Sequence, residues 1–273
     1  MSLDFSVVIS VYSGDNSILF KQAVLSVLNQ TLEPKEIIVT VDGVVGAELN
    51  SVISDMEVLP TIRVLYIDKN VGLGASRHMA IKSANTGIIA VMDSDDISDT
   101  NRFFQQISYF EKYDIDLVGG YISEFNPKSE HCTTVRKVPL IHQDIIKRGR
   151  WFSPINHVTV MFRKEAYFKT GGYGSLRMVE DYDLFHRMVL ANLKFANIPK
   201  VLVYVSASDD QYMRRHGLAY FLEEWGLMKR MLSSNYIGLL IFMINVNIRF
   251  LYRLIPVYFL KLITQNIFRS RMR

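Results

Sequence analysis

Three observations on this chain predict an α/β fold with a mostly parallel central sheet flanked by helices and followed by a helical extension. Short continuous apolar runs recur along its N-terminal part, helical periodicity fills the gaps between them, and from Trp225 onward the composition becomes apolar and basic without a single acid. The first run, "FSVVISV" (5–11), is followed by the periodic stretch "ILFKQAVLSVLNQ" (18–30). "EIIVTV" (36–41), "IRVLYI" (62–67) and "GIIAVM" (87–92) repeat the strand signal, with helical stretches between. Apolar runs without alternation suit strands buried on both faces, which is the condition of a parallel sheet.

Composition limits what such a fold is for. The chain has 273 residues, 49% hydrophobic and 21% charged, enough to bury a large core, so disordered and fibrous classes are excluded. Its one cysteine, Cys132, excludes an internal disulfide framework and fits a reducing compartment. "MSLDFSVVISVYSG" has no basic region before its apolar run, so no signal peptide is expected and the reading is cytosolic.

Polar residues collect where the strands end. Tyr12, Ser13 and Asp15 follow the first, Asp42 and Gly43 the second, Asp68 and Asn70 the third, and "DSDDISD" (93–99) the fourth. Ligands of parallel α/β sheets bind at these carboxyl ends. Asp93, Asp95, Asp96 and Asp99 repel one another unless a cation, donors or water sit among them. Asp99 is expected to cap the helix in "TNRFFQQISYFEK". An EF-hand loop fails because Ile97 occupies its fifth position and no glycine its sixth. A phosphatase with a nucleophilic aspartate and magnesium stays open, although its pair would normally follow the first strand. A dinucleotide fingerprint in "NVGLGASRHM" lacks its third glycine, with Arg77 in that place.

Six segments in order, "VVISVYSGD", "EIIVTVDG", "NVGLGASRHMAI", "VMDSDD", "NHVTVMFRKEAYFKTGGY" and "VEDYDLFHRM", resemble glycosyltransferase family 2, inverting enzymes of the GT-A (nucleotide-diphospho-sugar transferase) fold. The likeness covers roughly residues 5–205. It implies a catalytic domain over 1–205, with a nucleotide-sugar half at about 1–98 and an acceptor half at about 99–205, and a separate extension at 206–273. Val11, Tyr12, Asp42, Arg77, Asp93, Ser94 and Asp95 would bind the nucleotide sugar. Asp42 would accept an N–H of uracil, Asp93 would hold the ribose, and Asp95 would bind manganese or magnesium, hard ions that take oxygen ligands. Asp181 would be the base that deprotonates the acceptor hydroxyl. Glu180 and His157 would lie near the sugars, and "TGGY" (170–173) would make a tight turn facing the donor. Apart from the likeness, the aromatic rings of Trp151 and Phe152 suit either stacking on a sugar ring or packing in the core.

Residues 206–273 depart from that pattern. "SDDQYMRRHG" echoes the Q-x-x-R-W motif of processive members with Gln211 and Arg214 but has no tryptophan, so addition of one sugar is expected. The same segment resembles enzymes of O-antigen and exopolysaccharide assembly, which implies that Arg214 and Arg215 face a diphosphate and that His216 lies near the metal. From Trp225 to Arg273 there are eight basic residues and no Asp or Glu. Met231 to Ile248 is an uncharged run of 18, but Asn235, Asn245, Asn247 and the following Arg249, Arg253 and Pro256 favour a peripheral, interfacial helix over a span. Packing on the catalytic domain is the competing reading. The apolar content argues against nucleic acid. The expected enzyme is a metal-dependent inverting transferase that uses a UDP-sugar and a polyprenyl-diphosphate-linked saccharide at the cytoplasmic face of the bacterial inner membrane. A magnesium-dependent phosphotransferase or phosphatase and a non-catalytic nucleotide-sugar-binding module are the alternatives.

Overall fold

The computed structural model describes residues 3–125, 132–206, 216–255 and 270–271. Strands β1 (Phe5–Tyr12), β2 (Glu36–Asp42), β3 (Ile62–Ile67) and β4 (Ile88–Met92) alternate with helices α1 (Ser17–Leu28), α2 (Ala47–Glu57) and α3 (Leu73–Ser83). All four strands are parallel, in the spatial order β4-β1-β2-β3. Their continuous apolar runs are explained by two-sided burial. Phe5, Val7, Ile9 and Val11 pack with α1 and α2 on one face, and Val8, Ile38 and Ile89 pack with α3 on the other. Helix α1 starts where the sequence supplies a cap, since Asn16 Oδ1 accepts the amides of Ile18 and Leu19 at 2.9 and 3.1 Å.

The remainder of the sheet is mixed, and it comes from residues 97–206 rather than from the four N-terminal strands. After β5 (Ile97–Ser98) and α4 (Arg102–Lys112), strand β6 (Leu117–Phe125) pairs antiparallel with β7 (Cys132–Arg136) and with β8 (Met161–Arg163), and β8 joins the sheet to β4. Helices α5 (His142–Gly149), α6 (Lys164–Lys169) and α7 (Glu180–Leu190) cover one face. Strand β9 (Phe195–Ser206) runs parallel to β6 and holds β5, and β10 (Ser270–Arg271) pairs with β7. "VTVMF" is not one strand: His157–Thr159 forms a 3-10 turn, and pairing begins at Met161.

Asp99 does not occupy the cap of α4, which begins after Asn101. Its Oδ1 accepts the Asn101 amide two residues on at 3.0 Å, an Asx turn that leads into the helix.

Helices α8 (Leu218–Ser233) and α9 (Leu239–Leu254) form a hairpin packed against the catalytic body. Leu227, Met228, Met231 and Ile237 are buried with Val179 and Tyr182 of the α7 region. Arg249 and Arg253 do not project outward as an interfacial helix studded with cations requires. Both bind Glu224, whose side chain is 3% exposed, and Arg253 also lies 4.2 Å from the Tyr220 ring centroid. The reason is pairing: Glu224 is the last acid in the chain and is buried on α8 facing α9.

Candidate active site

Strand order reverses between β1 and β4, and a cleft opens at their carboxyl ends, the place where such sheets bind ligands. A recess of about 260 Å³ is lined by Val11, Tyr12, Asp42, Asn70 and Gly72. Asp42 is buried, and its two oxygens accept the amides of Val71 and Gly72 at 2.7 and 3.0 Å. It therefore holds the loop before α3 in place, while each oxygen keeps a lone pair for a further donor. Gly43, at φ +83°, must be glycine, because a Cβ would stand 2.9 Å from the Asn70 amide nitrogen.

The adjoining cleft, about 320 Å³, brings together Tyr12, Arg77, Asp93, Ser94, Asp95 and Glu180. Arg77 is buried and ion-paired with Asp93. Burial is the largest single influence and opposes its charge, but Asp93, Tyr173, Glu180 and Asp181 together outweigh it and the pKa is raised. On its other side Arg77 Nη1 lies 3.5 Å from His157 Nδ1, and His157 Nε2 lies 2.8 Å from the Tyr173 hydroxyl. Burial and then Arg77 push the imidazole down to about 4, so it is neutral at pH 7. A guanidinium only donates, which assigns the proton to Nε2 and the accepting role to Nδ1. His157 thus stands behind Arg77.

A second cleft, about 290 Å³, shares Asp93, Asp95 and Tyr220 with the first and adds Asp96, His157 and Asp181. Glu180 and Asp181 are neighbours at the start of α7, about 100° apart on the helix, so one carboxylate enters each cleft. Burial, and then Asp181, push Glu180 up to about 7. Asp181 Oδ1 accepts the Tyr182 amide at 2.7 Å. Asp183, the third acid of this turn, faces away: it is fully buried between Arg187 Nε at 2.9 Å and Arg230 Nη1 at 3.0 Å. "TGGY" bends through two left-handed glycines, Gly171 (φ +79°) and Gly172 (φ +70°), and brings Tyr173 back to His157.

The acids of the crowded loop after β4 have separate surroundings. Asp96 is buried and accepts the Ser206 amide at 2.9 Å, tying the turn to the end of β9. Burial, and then the charges of Asp93 and Asp95, raise its pKa well above the ordinary carboxylate range. The oxygen donors here suit a hard dication, and Asp95, which faces both clefts, could hold one. Among the described residues no group of three or more His, Cys, Asp or Glu is placed to hold a metal. An ion held by one or two of these carboxylates would need its remaining ligands from outside this group.

Residues 6–172 match the family model for glycosyl transferase family 2. The chain belongs to glycosyltransferase family 2. This glycosyltransferase is 32% identical over 269 residues to an uncharacterized glycosyltransferase of Haemophilus influenzae, covering 98% of this chain and 100% of the relative. It is 32% identical over 266 residues to the UDP-Gal:alpha-D-GlcNAc-diphosphoundecaprenol beta-1,3-galactosyltransferase of Escherichia coli (97% and 96%). Over 254 residues it is 32% identical to the amylovoran biosynthesis glycosyltransferase AmsE of Erwinia amylovora (93% and 95%). Its fold is shared with S. aureus TarS 1–349 in complex with UDP-GlcNAc, with a TM-score of 0.65 at 16% identity over 84% of this chain and 67% of that one. It is shared too with the mannosyltransferase PcManGT of Pyrobaculum calidifontis in complex with GDP-Man and Mn2+, with a TM-score of 0.65 at 11% identity over 92% and 70%.

Other expected residues of the glycosyltransferase lie elsewhere. Phe152, 41% exposed, lines the second cleft, whereas Trp151 contributes its carbonyl to Arg249 at 2.7 Å. His216 lines neither cleft, and its Nε2 meets the Ile255 carbonyl at 3.0 Å. Gln211, Arg214 and Arg215 fall outside the described residues. Sequence reasoning missed Tyr220, Glu224 and Arg249, which bring the C-terminal hairpin into the second cleft. The one signal for them was Glu224, the last acid before a basic, acid-free tail.

Proposed function

We propose that this glycosyltransferase transfers one sugar from a UDP-sugar to a polyprenyl-diphosphate-linked saccharide, with inversion to a β-linkage. The observation that carries this reading is the pair of clefts meeting at Asp93 and Asp95, with Asp181 lining the second and not the first. A donor in the first cleft and an acceptor in the second present the reacting atoms on opposite sides of one anomeric carbon. The named activity of the Escherichia coli relative and the UDP-GlcNAc held by the TarS structure support the substrate classes.

Uracil would lie in the recess of Val11, Tyr12 and Asp42, the ribose against Asp93, and the diphosphate toward Arg77 and Ser94. Manganese or magnesium at Asp95, when bound, neutralises charge that develops on the leaving diphosphate. Arg77, held by Asp93 and by neutral His157, supplies a fixed positive charge beside that group. Asp181 takes the proton of the acceptor hydroxyl as its oxygen attacks the anomeric carbon from the face opposite UDP. Glu180, on the donor side, is placed to meet the sugar hydroxyls, and the exposed ring of Phe152 offers a stacking surface to the acceptor. Residues up to about 98 thus form most of the donor side, joined there by Glu180 and Tyr220, and the rest of 99–205 with the α8–α9 hairpin serves the acceptor.

The acceptor's lipid places the reaction at a membrane surface, which we assign to the cytoplasmic face of the bacterial inner membrane, with the enzyme bound peripherally through its C-terminal region. No helix among the described residues is long and apolar enough to cross a membrane.

The test is Asp181→Asn assayed with a panel of UDP-sugars and a lipid-diphosphate GlcNAc or GalNAc acceptor, with and without manganese. UDP affinity should stay within about twofold while transfer falls by roughly 10²–10⁴. Undiminished transfer overturns the base assignment, phosphate release with an aspartyl intermediate on Asp93 replaces the reaction class, and transfer that survives EDTA removes the metal.

A further inference from the structure

Helix α9 is inverted relative to an ordinary surface helix. Its charged residues, Arg249 and Arg253, turn inward to Glu224, and its outward face carries Leu240, Ile244, Ile248 and Leu251 along one ridge, 38% to 72% exposed. Leu218 and Leu222 of α8 extend the patch, at 62% and 57% exposure. The polar exception, Asn247, donates its amide back to the Met243 carbonyl at 2.8 Å. Water is a poor environment for such a face, and exposed apolar patches of this extent mark interaction sites.

We propose that the outward face of α9, with the start of α8, lies flat in the interface of an anionic lipid bilayer and presents the acceptor cleft to it. Two observations select a bilayer over a protein partner. The chain after α9, residues 256–273, contains Lys261, Arg269, Arg271 and Arg273 and no acid, a net positive charge that complements an anionic leaflet, with Arg271 held on β10 beside β7. The apolar ridge itself carries no charge that would set a register against another protein. Helix α9 is itself too short to cross, since 16 residues reach about 24 Å and a hydrocarbon core is about 30 Å thick.

The docked geometry also matches the proposed acceptor, and to that extent the inference rests on that reading. Arg249 lines the cleft that holds Asp181, on the side of α9 opposite the apolar ridge. A helix with its side chains is about 10–12 Å across, and an interfacial helix sinks about 5–10 Å into the headgroup boundary. The cleft mouth then stands at or just above headgroup level, where a lipid-linked diphosphate keeps its first sugars. The acceptor reaches the base without its polyprenyl chain leaving the bilayer.

The experiment is cosedimentation of the full chain with phosphatidylglycerol/phosphatidylethanolamine vesicles and with phosphatidylcholine vesicles. The wild type is compared with Leu240→Asp/Leu251→Asp, two exposed residues outside both clefts. The wild type should bind the anionic vesicles more strongly, and the double variant should lose at least about tenfold in partition, a step of about 1.4 kcal/mol. Transfer to a short-chain, water-soluble acceptor should be equal for both. Equal vesicle binding by the two proteins overturns the proposal, as does a wild type that binds neither vesicle but sediments as a dimer the variant dissociates. Vesicle binding as expected without transfer to any soluble acceptor would instead overturn the functional reading alone.

Discussion

Replacing Glu224 by methionine should unfasten the C-terminal hairpin. The carboxylate, 3% exposed, accepts from Arg249 Nη1, from Arg253 Nε at 2.9 Å and from Arg253 Nη2 at 2.8 Å, and the two arginine side chains are themselves only 14% and 12% exposed. Methionine keeps the volume but leaves two guanidinium groups buried without their counter-charge, a loss of about 3–5 kcal/mol. Domains are stable by about 5–15 kcal/mol, so this is a large fraction of the total. It falls mainly on α8 and α9, the two helices that the cluster joins. Urea unfolding should show the lowered midpoint, and amide exchange should accelerate over residues 239–254. The triple variant Glu224→Met/Arg249→Met/Arg253→Leu removes all three charges and should regain most of the loss. A single-variant cost below about 1 kcal/mol, or a triple variant as unstable as the single one, would refute the view that this cluster holds the hairpin.

Asp96 separates charge from hydrogen bonding. In EDTA at pH 7, Asp96→Asn should not destabilise the protein, because the fold already favours the neutral carboxyl, whereas Asp96→Ala should cost about 1–3 kcal/mol by orphaning the Ser206 amide; equal losses in urea melts would contradict this. Glu180 and His157 should give opposing pH slopes. With Glu180 raised from 4.5 to about 7, the native state holds the extra proton and this contribution is lost as pH rises through 7; with His157 lowered from 6.5 to about 4, stability is lost as pH falls below 6.5. Glu180→Gln should therefore make the change in stability from pH 4.5 to 6.5 more positive in urea midpoints, and an unchanged profile would remove Glu180 as a contributor. Gly172→Ala should cost about 1–3 kcal/mol in thermal unfolding, since φ is +70° and the new Cβ would stand 2.6 Å from the Tyr167 hydroxyl; a neutral outcome would mean the turn relaxes freely.

Much of the donor side is legible in the amino-acid sequence. β1 to β4 announce themselves as unbroken apolar runs because both of their faces are buried. The order of the six motif segments points to the family. The 3-10 turn at His157 is not legible, since β-branched residues beside it read as a strand whether or not a partner is present. Nor is the division of Glu180 from Asp181 between two clefts, which depends on the residue at which α7 begins.

Local sequence determines which residues alternate, which can cap and which faces are apolar, because those properties act over a few residues. The sequence by itself therefore determined the parallel half-sheet, the acidic turn after β4 and the apolar, basic character of the tail. Only the tertiary structure decided which way that tail faces. Arg249 meets Glu224 across 25 residues and the Trp151 carbonyl across 98, and such pairings turn its charge inward and its leucines outward. No short-range pattern encodes a partner that far along the chain.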